Sequence, residues 1–257
     1  MRSIIFASGK GGVGRTSILI NTGLVLSSAG KKTLVIDADI AMANIGILLG
    51  VERAPINLHH VLMGETDIKD AIYEGPGNLK YVPAGLSIER ITKLDFNALK
   101  DAVKKLEEYD FVLIDCPAGM SDETQAAILS ANEMVLVLTP EPASLANALK
   151  VKTFAERKNV ELIGFILNMI RRDRTEIKRS DLESVLDLKC IAEIPEDTEV
   201  RRSSALQVPV AIRAPHAPFM RGIKNVASFL TGGAVVEVKA GKSFLARLID
   251  FILGRRT

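Results

Sequence analysis

Runs of consecutive apolar residues recur along the chain at 3–7, 33–37, 80–83, 110–115, 134–139, 160–168 and 190–194. Between them lie longer stretches in which apolar residues return every three or four positions, notably 16–29, 96–107, 143–157 and 219–230. Leu34-Val35-Ile36 and Val135-Leu136-Val137 show no polar alternation. Strands of that kind are buried on both faces, as in a parallel sheet. Strands joined by helix-length connections make repeated βαβ units, so the predicted class is α/β with a doubly wound, mostly parallel sheet.

No internal repeat or low-complexity tract interrupts this pattern. One boundary is expected at Thr231-Gly232-Gly233, where the last helical periodicity ends. Residues 1–231 then form the α/β domain, 232–241 a linker, and 242–257 a segment of different character. With 257 residues, the chain is long enough for one large domain with a substantial core.

Composition narrows the class. Apolar residues make up 47% and charged residues 25%, with a formal net charge of +2, which argues against a protein that coats nucleic acid. Cys116 and Cys190 stand far apart, a spacing that fits neither a zinc nor a disulfide framework and suits a reducing compartment. His59-His60 and His216 have no ligand-like spacing to a carboxylate or thiol. No run of about 18 apolar residues is present, and the N-terminus lacks a signal-peptide pattern, so a cytoplasmic location is expected.

The chemistry begins at "SGKGGVGRTS", residues 8–17, directly after the first apolar run. Gly9, Gly11, Gly12 and Gly14, with Lys10 and Val13 between them, let the backbone turn sharply and aim its N–H groups at phosphate oxygens. The helix opening near Thr16 and Ser17 adds its positive dipole end. Gly9, Gly14 and Thr16 fit the phosphate-loop frame G-x-x-x-x-G-K-[ST], but position 15 is arginine where the frame has lysine. Thr16 has the position of an Mg²⁺ ligand. Asp37 and Asp39 end the second run and Asp115 another, and ligands of open parallel sheets bind beyond such strand ends.

"GKGGVGRTS", "VIDADIAMANIGILLG", "FVLIDCPAG" and "IPEDTEVRRSS" together resemble the deviant Walker A ATPases of the MinD/ParA family, nearest its MinD branch, over residues 2–230. The resemblance implies a P-loop NTPase that binds ATP and Mg²⁺ and forms a homodimer in its ATP state. On this pattern Lys10 reaches the partner subunit's phosphates, Asp39 orients the hydrolytic water, and Thr16, Asp39 and Asp115 surround the metal. Asn168 and the Pro195-Glu196-Asp197 turn correspond to the contacts on the adenine and ribose side. Arg15 departs from the family's lysine: it keeps the charge but is larger and planar. Phosphoryl transfer rests on positioning, so the expectation is an ATPase slowed by Arg15.

In the tail, Phe244, Leu245, Leu248, Ile249, Phe251 and Ile252 fall largely on one side of a helix, with Ser243, Arg247 and Asp250 opposite. At helical rise the segment is only about 23 Å long and cannot span a bilayer. By pattern alone it fits equally a helix lying in the membrane interface or one docked on protein. The resemblance favours the membrane, since members of the MinD branch end in such a helix, and implies a peripheral protein on the inner face of the cell membrane. Two anchors in a dimer would supply the second signal that stable attachment needs. An activating or cargo protein is implied but not identified. Two rivals are a ParA-like ATPase acting in DNA or cargo partitioning and a nucleotide-gated module without turnover. The basic run 169–180 reads as a solvated face, so DNA is not the expected partner.

Overall fold

A computed structural model of the protein describes residues 1–51, 54–85 and 94–233. Each apolar run forms a strand. In chain order these are β1 (Arg2–Ala7), β2 (Thr33–Asp37), β3 (Tyr73–Glu74), β4 (Lys80–Val82), β5 (Phe111–Asp115), β6 (Glu133–Leu138), β7 (Glu161–Ile170) and β8 (Cys190–Pro195). The two-residue β3 was not expected. They form one sheet in the order β3-β4-β2-β5-β1-β6-β7-β8, parallel throughout except where β3 runs against β4.

The helices are α1 (Arg15–Ser28), α2 (Ile45–Leu48), α3 (Leu58–Leu62), α4 (Ala98–Lys104) and α5 (Asp122–Leu129), followed by α6 (Pro142–Arg157), α7 (Arg179–Leu186), α8 (Thr198–Ala205), α9 (Val210–Arg213) and α10 (Pro218–Leu230). They cover both sheet faces. Ile5, Ile36, Ile114 and Leu136 pack towards α3 to α7, whereas Ile4, Phe6, Val35, Leu113 and Val135 pack towards α1, α9 and α10. Burial on both sides explains why these strands read as unbroken apolar runs. Truncating one such residue, as in Leu136→Ala, removes transfer energy and leaves a cavity, a cost of about 2–5 kcal/mol.

Two elements differ from expectation by more than one residue at an end. The strand expected over 160–168 continues to Ile170, paired with Pro195 of β8. The helix expected over 96–107 is α-helical only from Ala98 to Lys104. Ahead of it the Asp95 carboxylate accepts the Asn97 N–H in a local turn (3.0 Å). Behind it Lys105 and Leu106 donate three residues back, to Ala102 and Val103, the tighter pattern of a closing helix end.

From central β1 the chain crosses to β2 on one side, and it later returns to add β6 on the other. The C-terminal ends of β1, β2, β5 and β6 thus surround the crevice where doubly wound sheets bind ligands. Gly232 and Gly233 form a turn after α10. The segment 242–257, with Phe244, Leu245, Leu248, Ile249, Phe251 and Ile252, lies outside the described residues, as does the linker from residue 234 onward.

Candidate functional site

The loop from Ser8 to Gly14 leaves β1 and returns into α1. Gly14 closes it with φ 85° and ψ 15°, a left-handed conformation that a side chain disfavours. A Cβ there would lie 2.4 Å from the Asn168 amide nitrogen, and one at Gly9 would lie 2.4 Å from the Asn147 carbonyl oxygen on α6. Both glycines therefore let the loop sit against its neighbours. Among the described residues, the N–H groups of Lys10, Gly11, Gly12, Val13 and Gly14 take no protein acceptor. Amides left free beside a helix N-terminus are a cradle for phosphate oxygens.

Three of the acidic and hydroxyl groups expected around a metal come together here. Thr16 Oγ1 donates to Asp115 Oδ2 at 2.5 Å. Arg15 Nε donates to Asp115 Oδ1 at 2.6 Å, Nη2 to Asp39 Oδ2 at 3.0 Å, and Nη1 to Ser8 Oγ at 3.1 Å. The arginine side chain is only 7% exposed. The guanidinium thus turns inward, onto the two carboxylates. Its pKa is raised: burial opposes the charge, but Asp115 and Asp39 outweigh it. Asp39 is also shifted upward, mainly by burial, with Arg15 working against that shift. Two carboxylates and a hydroxyl are hard oxygen donors of the kind Mg²⁺ takes, so these residues fit a magnesium nucleotide.

Asp37 lies beside Asp115 in the β2–β5 register and is fully buried. Its Oδ2 accepts the N–H groups of Asn44 and Ile45, both at 3.0 Å, which anchors the start of α2, while its Oδ1 has no partner. Burial first, and then the Asp115 charge, push its carboxyl up to about 8. The loop after Asp39 is held further by Glu123, whose Oε1 accepts the Ile40 N–H (3.0 Å).

Lys10 stands apart from this buried group. Its ammonium pairs with Glu141 at 2.6 Å, and both side chains are substantially exposed. Gly11 and Gly12 are also exposed, whereas Val13 is buried in the core. Ser17 follows Thr16 on α1, its carbonyl accepting from Asn21 Nδ2 (2.7 Å). Asn168, at the end of β7, donates its amide to the Val13 carbonyl at 2.7 Å and so braces the loop. Beyond Pro195, Glu196 pairs with Arg171. Asp197 caps α8 through the Glu199 N–H (2.9 Å) and also accepts the Phe219 N–H (3.0 Å). Asp197 therefore holds two helix starts, and neither these hydrogen bonds nor the Glu196–Arg171 pair reaches the Arg15 cluster.

Cys116 is completely buried among apolar side chains, its thiol pKa pushed upward by desolvation, which leaves it packing rather than reacting. Sequence reasoning missed Ser8, Glu123 and Glu141. Ser8 and Glu141 follow β1 and β6 at the sheet's carboxyl edge, and that placement is the signal that marks them. Among the described residues no helix is long and apolar enough to cross a membrane.

The family model of an AAA domain matches residues 1–163. An uncharacterized ATP-binding protein of Methanocaldococcus jannaschii is 38% identical, the match covering 99% of this chain and 97% of that protein. Among solved structures, the cell division ATPase MinD of Pyrococcus furiosus superposes with a TM-score of 0.87 at 33% identity, over 91% of this chain and 99% of that one. The septum site-determining protein MinD of Pyrococcus horikoshii, complexed with Mg-ADP, gives the same TM-score and identity over 92% and 98%.

Proposed function

The chain belongs to the MinD/ParA family of P-loop ATPases, and from that premise we propose that it is an ATP-dependent dimerising switch of the MinD type that acts at a membrane surface. The observation that carries the reading is the loop itself. Free amides from Lys10 to Gly14 share one crevice with Thr16, Asp39 and Asp115, which supports reading the first as a phosphate cradle and the second as a metal-binding group.

On this reading the loop amides and the N-terminus of α1 bind the phosphates, and Thr16 with Asp115 and Asp39 holds Mg²⁺. The metal would neutralise phosphate charge as it develops during transfer. Asp39 orients the attacking water. Lys10, tethered only by an exposed ion pair, is free to reach the phosphates of a second subunit. Asn168 and the Pro195-Glu196-Asp197 turn border the base and ribose. Two subunits then join through ATP, their C-terminal segments bind anionic lipid together, and hydrolysis separates them. Such a switch would position division machinery or another polar structure, with an activating or cargo protein as partner.

A second reading is a latch that binds ATP without turning it over, and the inward placement of Arg15 favours it. DNA partitioning draws little support from 169–180. There Arg171 pairs with Glu196 and Arg179 with Glu183, while Glu176 accepts the N–H groups of Arg171 and Arg172.

The deciding experiment is a time course of co-sedimentation with anionic liposomes under limiting Mg·ATP, with ADP as control. Pelleting with ATP that decays as phosphate appears supports a cycling switch. Pelleting that persists with ATP intact supports the latch. No ATP-dependent pelleting, with the same result after removal of residues 242–257, rejects the membrane role.

A further inference from the structure

Arg15 is the one departure from the family pattern in the phosphate loop, and the structure shows where its charge goes. All three guanidinium nitrogens are engaged, each with a different acceptor: Asp115, Asp39 and Ser8. Two of those acceptors are the carboxylates that the proposed nucleotide site assigns to Mg²⁺. The third, Ser8 Oγ, is itself oriented by donating to the Lys10 carbonyl at 2.9 Å. Thr16, the remaining metal-binding candidate, spends its hydroxyl proton on the same Asp115.

We propose that Arg15 and Mg²⁺ are alternative counter-cations of Asp39 and Asp115, so that Arg15 sets how steeply nucleotide binding depends on the metal. This rests on the reading of the crevice as a nucleotide site. Asp39 and Asp115 together carry two negative charges, and a resident guanidinium already neutralises one of them. Its fork reaches the three acceptors from three separate nitrogens, whereas a lysine carries all three of its donors on one. A lysine at this position, with its donors gathered on one compact nitrogen, would therefore hold the two carboxylates and Ser8 less completely than the guanidinium does. The inward-turned arginine also withholds its charge from any phosphate held by the loop amides. Metal entry and arrival of Arg15 at the phosphate are in this way one exchange: the carboxylates change cation, and the freed guanidinium turns to the anion.

The consequence is a nucleotide-free protein that is indifferent to Mg²⁺, and a metal response that grows as the hold of Arg15 is loosened. Three forms of the full chain test it, stripped of nucleotide: wild type, Arg15→Lys and Ser8→Ala. The alanine variant removes one anchor of the arginine and leaves both carboxylates intact.

The first readout is thermal melting in EDTA and in millimolar MgCl₂ without nucleotide. The expected result is no shift for wild type and an upward shift for Arg15→Lys, with Ser8→Ala between them. The second is equilibrium binding of a fluorescent ADP analogue with and without Mg²⁺. Here the Mg²⁺-to-EDTA affinity ratio should rise by about tenfold in Arg15→Lys. Equal metal response in all three forms overturns the proposal, as does a wild type already stabilised by Mg²⁺ alone. Should no form bind nucleotide under either condition, the nucleotide-switch reading fails, while the melts still decide whether Arg15 and Mg²⁺ compete. If Arg15→Lys does not fold, Ser8→Ala against wild type decides by the same criteria.

Discussion

Asp37→Asn should make the protein markedly less sensitive to pH. Asp37 is fully buried, donates to nothing, and accepts two backbone N–H groups through one oxygen while the other has no partner. Its pKa stands at about 8 in the fold, against about 3.9 for an unfolded aspartate. A raised carboxyl pKa means the folded state binds the proton more tightly. The stabilisation is complete below the unfolded value and is lost as pH rises towards 8. Across that window the slope is about 1.4 kcal/mol per pH unit, so between about pH 5.5 and about pH 7.5 this group alone removes about 3 kcal/mol. Asparagine keeps the accepting oxygen and an uncharged partner atom, and so resembles the protonated acid at every pH. Urea unfolding of nucleotide-free protein in EDTA, followed by circular dichroism at the two pH values, gives ΔG for both forms. Other titrating groups cancel in the difference between them. That difference should move in favour of Asp37→Asn by about 3 kcal/mol on going to the higher pH. A difference that stays constant within about 0.5 kcal/mol would show that Asp37 is ionised in the fold and that the reasoning from its burial is wrong.

Three further substitutions separate the parts of the site. Gly14→Ala places a methyl group in a left-handed backbone position and against Asn168; it should cost at least about 1 kcal/mol in urea unfolding and weaken binding of a fluorescent nucleotide. Lys10→Ala removes only an exposed ion pair, so the melting curve should not move measurably, whereas ATP-dependent dimerisation in analytical ultracentrifugation should be lost. Asp197→Ala strips the cap of α8 and the tie to Phe219, and should lower stability by about 1–2 kcal/mol. If nucleotide affinity fell with no loss of stability, Asp197 would be a ligand contact instead of a brace.

The central strands were legible because their cause is local and repeated: a strand covered on both faces must be apolar at every position, and Val112 to Ile114 or Met134 to Leu138 are. The short edge strand Tyr73–Glu74 carries no such mark. Two residues cannot show a period, and this pair is extended because Tyr73 and Glu74 meet Tyr81 and Lys80 of β4, a contact that depends on the whole intervening loop. The contraction of the helix expected over 96–107 has a similar origin. The apolar spacing continues past Lys104, but Asp95 and the closing three-residue bonds set the ends, and backbone hydrogen-bond choice is not encoded in apolar periodicity.

The site divides along the same line. The glycine-rich turn between β1 and α1 could be read because glycines, a preceding strand and a following helix are adjacent in sequence, and their physics is that of the backbone. What Arg15 does could not, since its partners lie 24 and 100 residues away and an arginine in that frame is as able to face a phosphate as a carboxylate. Sequence placed a cation, a threonine and two acids in one crevice but left open which of them would satisfy one another. Folding resolves that by burial: a guanidinium at 7% exposure must find anionic or polar acceptors, and Asp115, itself fully buried on the adjacent strand, needs a cation just as urgently. Each meets the other's requirement when no ligand supplies a substitute. The arginine of the loop is therefore felt first at the strand ends, where Asp39 and Asp115 take up its charge.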